Sequence, residues 1–170
     1  FEGCYNLQLV QTPSTLNLID ALAFKGCSDL KDVILSPRLR TIGHESFSGC
    51  SSLTLLKLPE SVTTILHGAY EGCSGLKTLT LPTNLETIQD EAFKGCTGLT
   101  YIEANMKSPV TIQENTFANV PYDKCTLMVP EGSAKAYKEA AVWNKFCPIT
   151  EKMSSGVTVV VDQAGTLSTK

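Results

Sequence analysis

Apolar residues recur along the chain in columns that are 23 residues apart. An aromatic-x-Gly-Cys motif starts at Phe1, Phe24, Phe47, Tyr70 and Phe93, and a degenerate copy starts 24 residues later at Phe117. Other columns keep the same register: Leu7, Leu30, Leu53, Leu76 and Leu99; Val10, Val33, Leu56, Leu79 and Ile102; and Ile19, Ile42, Ile65 and Ile88. A repeat this short cannot bury its own apolar side, so the period predicts stacked turns that share one continuous core.

Each turn is predicted to contain one short strand followed by a less regular return. The runs Leu53 to Leu58 and Leu76 to Leu81 alternate between inward and outward positions, which predicts one parallel strand per turn. Pro59 and Pro82 close these runs because proline cannot donate to a continuing ladder. On the opposite side, a short extended piece and one helical turn would bury together the apolar members of residues 85–93, which are Leu85, Ile88, Ala92 and Phe93.

The repeat reads Leu-x-x-Leu-x-Leu-Pro-x-x-Leu-x-x-Ile-x-x-x-Ala-Phe-x-Gly-Cys over residues 76–96. This pattern resembles the BspA-like leucine-rich repeats of bacterial cell-surface proteins, and the resemblance covers roughly residues 1 to 152. Ser36 departs from it, since other turns have proline there, and Leu66 stands where the family often has glycine. We expect both turns to bulge slightly.

Period and resemblance together predict a leucine-rich-repeat solenoid of the α/β class in which β structure dominates. The expected form is a right-handed superhelix of 23-residue turns with a parallel sheet, short helical turns on the opposite side and a C-terminal strand-helix cap. Residues 1–124 would form five 23-residue turns plus a degenerate sixth. Residues 125–152 would form the cap, and residues 153–170 a linker or the start of a further domain.

The predicted cap consists of a strand, a helix and a final short strand. Cys125 to Pro130 reads as the first strand, Ser133 to Val142 as a helix with Ser133 as its N-cap, and Pro148 to Thr150 as the last strand. The helix would cover the open end of the core with the side chains of Tyr137, Ala141, Trp143 and Phe146. The order Val-Pro-x-Gly-Ser…Tyr…Trp-x-x-Phe also resembles the closing segment of the same family.

Charge and hydropathy exclude two function classes. The formal charge is −3, and the 14 Lys and Arg residues are scattered without a basic run, which does not suit a nucleic-acid partner. The longest nearly apolar stretch, Val157 to Val161, is far too short to cross a bilayer. Phe1 to Cys4 is neither a basic region nor an apolar signal core, so we expect that any export signal lies upstream of it or does not exist.

Five of the seven cysteines share one repeat column, which predicts a ladder of buried thiols with a packing role. A disulfide within the ladder is disfavoured because parallel strands hold equivalent side chains about 4.8 Å apart, whereas disulfide Cβ atoms prefer ~3.8 Å. Cys125 and Cys147 lie outside the ladder and would either bridge in an oxidising compartment or stay buried as thiols. Zinc is disfavoured because no close Cys-x-x-Cys pair and no histidine partner accompany them.

His44, His67 and Asp90 form the only constellation with metal-ligand character. They occupy one column of adjacent turns, and two imidazoles and a carboxylate could hold a divalent cation. The column faces the return side, however, and we expect ordinary solvated side chains there. No catalytic motif is present in the sequence, so we predict no enzyme, no catalytic residue, no metal and no cofactor.

The outward positions of the predicted strands are the candidate partner-binding residues. They form two columns: Leu9, Asp32, Leu55, Thr78 and Tyr101; and Gln11, Ile34, Lys57, Thr80 and Glu103. Apolar and aromatic side chains at such positions mark either a protein-contact surface or ordinary isolated exposure. The columns therefore leave two hypotheses open: a non-catalytic binding module, which we take first, and a passive scaffold or spacer.

The resemblance adds a biological setting to this surface. It implies a bacterial surface or secreted protein that mediates protein–protein interaction or adhesion. The implied partner is a protein of the host or of a neighbouring cell, with a glycan as the alternative, and neither nucleic acid nor a membrane span within this chain is involved.

Overall fold

The computed structural model describes residues 1–153, 158–161 and 167–169, the last two ranges as strands. Short strands dominate, and one α-helix, α1 (Ala134–Glu139), lies near the end of the described chain. The strands are β1 (Leu9–Gln11), β2 (Leu18–Ile19), β3 (Asp32–Ile34), β4 (Thr41–Ile42), β5 (Leu55–Lys57), β6 (Thr64–Ile65), β7 (Thr78–Leu81), β8 (Thr87–Ile88), β9 (Tyr101–Ala104), β10 (Thr126–Pro130), β11 (Ile149–Lys152), β12 (Thr158–Val161) and β13 (Leu167–Thr169).

Equivalent strands of successive turns pair in parallel, which confirms the predicted solenoid and its 23-residue spacing. Leu56 of β5 stands opposite Leu79 of β7, and Leu79 stands opposite Ile102 of β9. On the return side, β2, β4, β6 and β8 form a second, narrower parallel sheet in which Ile19, Ile42, Ile65 and Ile88 are aligned. The predicted helical pieces between the two sheets take the form of consecutive turns with i to i+3 backbone hydrogen bonds.

The main sheet is interrupted after its second strand. β1 and β3 form a two-stranded sheet. β5 begins a separate sheet of seven strands with the order β13-β12-β11-β10-β9-β7-β5. The interruption coincides with the turn that departs from the repeat. There Ser36 replaces proline, its backbone N–H donates to Thr12 Oγ1 at 2.7 Å, and its hydroxyl donates to the carbonyl of Ser14 at 2.9 Å.

A stack of aromatic rings runs through the interior of the solenoid. Neighbouring ring centroids lie 5.1–5.6 Å apart, with interplanar angles of 2–18°. The stack begins at the exposed ring of Phe1 and continues through five buried rings, which are Phe24, Phe47, Tyr70, Phe93 and Phe117. Because one aromatic residue is contributed by each turn, the motif that carries the period also aligns the turns with one another.

The predicted cysteine ladder lies beside the aromatic stack. Cys27, Cys50, Cys73 and Cys96 are fully buried, whereas Cys4 at the start of the ladder is exposed. Each buried thiol points at a backbone carbonyl of the preceding turn, as Cys73 Sγ does at the carbonyl of Phe47, 3.2 Å away. The thiols therefore combine apolar packing with a weak hydrogen bond between turns.

One repeat position holds the left-handed backbone conformation that closes each turn. The glycine of the aromatic-x-Gly-Cys motif has φ between 71° and 75° in all five copies. In the degenerate sixth copy Asn119 takes this conformation, with φ 66°, and Val120 is buried in place of cysteine. Asparagine is one of the few non-glycine residues that tolerate this region, so the sixth turn keeps the backbone while losing the motif.

The C-terminal end of the core is covered, as the sequence predicts, but with different details. Trp143 and Phe146 lie edge-on against the last ring of the stack, at 5.6 and 5.3 Å from Phe117. The predicted contribution of Ala141 is wrong, since Ala141 is exposed. It lies beyond the C-terminus of α1, which ends at Glu139, well before the predicted end at Val142.

Ser133 stands at the N-cap of α1 as predicted, but its side chain does not cap the helix. Ser133 occupies the N-cap position of α1 with a nearly helical backbone, and its side chain makes no capping hydrogen bond. Glu151 of β11 caps the helix instead, because its Oε1 accepts the backbone N–H of Ala134 at 2.7 Å. A carboxylate supplied from the neighbouring strand thus satisfies a helix N-terminus and ties α1 to the sheet.

Of the two outcomes left open for Cys125, the structure shows a buried free thiol and not a disulfide with Cys147. Beyond the cap, β12 pairs antiparallel with β11, and β13 pairs antiparallel with β12. The proposed linker or further domain falls in residues 153–170, of which 154–157, 162–166 and 170 lie outside the described residues.

Candidate interaction surface

The ten predicted partner-binding residues all lie at outward positions of the main sheets. In β1 and β3, Leu9 stands opposite Asp32 and Gln11 opposite Ile34. In β5, β7 and β9 the aligned outward residues are Leu55, Thr78 and Tyr101 in the first column and Lys57, Thr80 and Glu103 in the second. The interruption between β3 and β5 divides both columns into an N-terminal and a C-terminal part.

Exposure differs between the early and the late turns. The six members in the first three turns are exposed, whereas the four members in the next two turns are half-buried. Three of the exposed residues are large and apolar: Leu9 at 53 %, Ile34 at 53 % and Leu55 at 60 % exposure. Residues next to them in the same strands, such as Val10 and Leu56, are buried, so these side chains point away from the core.

Tyr101 is half-buried, and its burial raises the pKa of its hydroxyl. It shares β9 with Glu103, whose carboxylate pairs with Lys152 of the cap strand β11 at 2.8 Å. Tyr101 and Glu103 therefore face the same side of the sheet, and the ion pair joins Glu103 to the cap. The late turns present a more polar and less accessible surface than the early ones.

A polar groove lies near the C-terminal ends of β5, β7 and β9. It measures about 430 Å³ and is open to solvent. One acidic member is held in place, because Glu60 Oε2 accepts the backbone N–H of Thr83 at 3.0 Å. The lining residues are Lys57, Glu60, Thr80, Thr83, Glu103, Asn105 and Lys152.

The outward columns continue into the cap, where they close. Thr126 stands beside Tyr101 and Met128 beside Glu103, while Thr150 follows Met128 in the next strand. Met128 and Thr150 are buried, which limits the exposed face to β1 through β9. The 23-residue period could not reveal this continuation, because the register that joins Tyr101 to Thr126 spans 25 residues.

The histidine column lies on the return side, as the sequence places it. Nδ1 of His67 lies 3.0 Å from Oδ1 of Asp90, and the His44 and His67 rings are 6.4 Å apart. The hydrogen bond that the His67 ring makes to the Asp90 carboxylate raises the pKa of His67. Across the described part of the chain, no group of three or more His, Cys, Asp or Glu side chains could hold a metal ion.

The buried thiols have low reactivity. Burial raises the pKa of Cys50, Cys96 and Cys125 to about 12, so these groups stay protonated at neutral pH. The thiolate is the nucleophilic form of cysteine, and a thiol in an apolar interior is inert. The buried thiols of the ladder therefore support the fold by packing.

The repeat and its register match a known family model. BspA type leucine-rich repeat regions match residues 1–123 in six copies. The chain belongs to this family. Among curated protein sequences, none matches the chain.

Solved structures of bacterial leucine-rich repeat proteins share this fold. A leucine-rich repeat protein of T. pallidum superposes with a TM-score of 0.61 at 24% identity, covering 85% of this chain and 71% of that one. A leucine-rich repeat protein of Bacteroides ovatus gives 0.57 at 23% identity, with 77% and 45% coverage. A leucine-rich cell surface protein of Faecalibacterium prausnitzii gives 0.55 at 24% identity, with 95% and 44% coverage.

The BspA-type chain described here spans less than half the length of the proteins from Bacteroides ovatus and Faecalibacterium prausnitzii. At this level of identity the likeness concerns the fold alone. Within the described residues, no helix is both long enough and apolar enough to cross a membrane.

Proposed function

We propose that this chain is a non-catalytic binding module that captures a protein partner on the outward face of its main sheets. The contact residues are the two outward columns: Leu9, Asp32, Leu55, Thr78 and Tyr101, with Gln11, Ile34, Lys57, Thr80 and Glu103. The observation that carries the proposal is the 53–60 % exposure of Leu9, Ile34 and Leu55 at outward positions of β1, β3 and β5. Exposed apolar side chains rimmed by polar ones are typical of protein-contact surfaces.

The setting that we propose is the bacterial cell surface or a secreted protein. Membership of the BspA-type family supports it, as does the description of the Faecalibacterium prausnitzii neighbour as a cell surface protein. The partner would be a protein on a host cell or on a neighbouring bacterium, and the chain would act in adhesion. A glycan partner is less well supported, because Tyr101 is the only aromatic side chain in the two columns and it is half-buried.

A bead-adhesion experiment tests this proposal. Beads coated with the chain are applied to epithelial monolayers and to bacterial cells, and attachment is counted before and after treatment of the cells with trypsin or with glycosidases. We expect attachment that trypsin abolishes and glycosidases leave intact. The double variant Leu55→Ser/Tyr101→Ser should lose attachment while its thermal stability is unchanged.

The matched control is Leu18→Ser. Leu18 is an apolar strand residue with 46% exposure, but it lies in β2 on the return side. This variant should attach as the parent chain does. Equal attachment by the double variant and the parent, or no attachment to either cell type, would favour the alternative of a passive scaffold or spacer. Sensitivity to glycosidases alone would favour a glycan-binding surface.

A further inference from the structure

Three lysines surround the exposed apolar residues of the early turns. Lys31 directly precedes β3, Lys57 ends β5 in the second outward column, and Lys77 directly precedes β7. All three are exposed. None of them forms an ion pair with any residue that the structure describes.

The acidic side chains of this region do not balance these lysines. Within β1, β3, β5 and β7, together with the residue before each strand, Asp32 is the single acidic residue. In the next strand, Glu103 is neutralised by Lys152 at 2.8 Å. These strand positions therefore carry more positive than negative charge, with Glu60 of the polar groove as a further acidic neighbour of Lys57, although the whole chain has a net charge of −3.

The apolar residues are close enough to be contacted together. Leu9 and Leu55 occupy one column two turns apart, and Ile34 lies in the second column of the turn between them. The aromatic rings of the second and third turns are 5.1 Å apart, so the turn spacing is maintained where the sheet is interrupted. Two turns stacked at about this ring spacing would put the outer leucines on the order of 10 Å apart, a distance that a few residues of extended peptide can span.

We propose that the partner docks through an acidic, apolar protein segment. Its apolar side chains would contact Leu9, Ile34 and Leu55, and its carboxylates would reach Lys31, Lys57 and Lys77. This inference rests on the proposed function and specifies the chemistry of the partner. Unpaired charges that surround an apolar contact select a complementary partner and increase its association rate.

An anionic membrane is the other surface that combines apolar contact with negative charge. Asp32 disfavours it, because its carboxylate stands in the same column as Leu9 and Leu55 and would meet the lipid headgroups. Gln11 and Lys57 flank Ile34 in the second column, as Asp32 lies between Leu9 and Leu55 in the first, so the apolar side chains do not form a continuous wedge. A peptide can place a hydrogen-bond donor opposite Asp32, which a uniform anionic surface cannot do.

Binding of short synthetic peptides to the 170-residue chain tests this inference. Fluorescence anisotropy would compare four peptides of about ten residues, alternating Leu/Glu, Leu/Gln, Leu/Lys and Ser/Glu, a length that spans several strands of the face. We expect the Leu/Glu peptide to bind roughly tenfold more tightly than Leu/Gln, the equivalent of about 1.4 kcal/mol. The Leu/Lys and Ser/Glu peptides should not bind, and added salt should weaken the Leu/Glu complex.

Two matched variants assign the effect to the three lysines. Lys31→Gln/Lys57→Gln/Lys77→Gln should remove the preference for Leu/Glu over Leu/Gln. The cap variant Lys124→Gln/Lys135→Gln/Lys138→Gln removes the same charge from exposed positions away from the sheet face and should keep the preference.

Other outcomes would overturn the inference. Equal binding of Leu/Glu and Leu/Gln, lost from both in Leu55→Ser, would retain the interaction surface and remove the role of charge. Binding to phosphatidylserine vesicles without any peptide preference would assign the lysines to a lipid surface. Failure of every peptide would also refute the inference, while bead adhesion and its Leu55→Ser/Tyr101→Ser variant report separately on the proposed function.

Discussion

Replacing Tyr70 by phenylalanine tests the aromatic stack, because the expected change in stability has a definite sign. Tyr70 is fully buried, with its ring 5.1 Å from Phe47 and 5.6 Å from Phe93. Its Oη has no hydrogen-bond partner among the described residues, and burial raises its pKa well above the ordinary value. The other members of the stack are phenylalanines, so Tyr70→Phe keeps the ring contacts and removes only the buried oxygen.

The expected magnitude follows from two opposing terms. A buried hydroxyl without a partner costs about 1–3 kcal/mol of the free energy of folding. Removing the oxygen also forfeits a few atomic contacts of about 0.1–0.2 kcal/mol each. The net effect is a stabilisation of about 1–2 kcal/mol, which in a chain of this size raises Tm by about 2–4 °C for each kcal/mol.

Tyr137→Phe is the matched control, with the opposite expected sign. Tyr137 is also fully buried, but its hydroxyl donates to the backbone carbonyl of Met106 at 2.9 Å. Its removal leaves a buried acceptor unpaired and should destabilise the chain by about 1–2 kcal/mol. Urea unfolding followed by the fluorescence of Trp143 and by circular dichroism would measure both variants, and coincident transitions would justify a two-state free energy.

Opposite signs for the two tyrosines would support the assignment of one unpaired and one paired hydroxyl. Destabilisation of Tyr70→Phe by as much as Tyr137→Phe would refute it, because the Tyr70 hydroxyl would then have a hydrogen-bonding partner. No change in either variant would show that hydroxyl groups contribute little to this interior.

Three further substitutions test contacts in other parts of the fold. Gly75→Ala would place a Cβ 2.2 Å from the carbonyl oxygen of Ser51. We expect the free energy of unfolding, measured in urea, to fall by about 2–3 kcal/mol. An unchanged value would show that the backbone shifts to accept the methyl group. Glu151→Ala removes the acceptor for the first N–H of α1 and should cost about 1 kcal/mol, measured the same way; an unchanged midpoint would contradict the cap. Asp90→Asn should lower the raised pKa of His67 in an NMR titration, and an unchanged pKa would disprove the pairing. Because the folded-state pKa is raised, any stabilisation by this pair is present at low pH and is lost as pH rises through that pKa.

The period alone was sufficient to predict most of the fold. Each apolar column occupies the interior, and the inward and outward positions of β5, β7 and β9 follow from the alternation in sequence. The signal is strong because a solenoid contacts mainly its own neighbouring turns, so position in the repeat determines position in space. The second sheet on the return side appeared in the sequence only as a short extended piece.

Features that break the repeat could not be predicted from it. The sheet interruption between β3 and β5 and the capping of α1 by Glu151 depend on contacts between segments that no period relates. Ser133 has the right residue type and the right place for an N-cap, but its backbone is nearly helical and its side chain is buried. The pairing of Lys152 with Glu103, which covers the late part of the candidate surface, joins residues 49 positions apart.

The inward and outward positions of each strand are subject to different physical requirements. Inward positions repeat nearly identical residues, as at Leu30, Leu53, Leu76 and Leu99, because each must fill the same space against the turns on both sides. Outward positions differ at every turn, as at Leu9, Asp32, Leu55, Thr78 and Tyr101, because they do not have to fill a shared interior. Substitutions at outward positions should therefore change binding with little effect on stability, whereas inward substitutions should unfold several turns together, since every turn stabilises its neighbours.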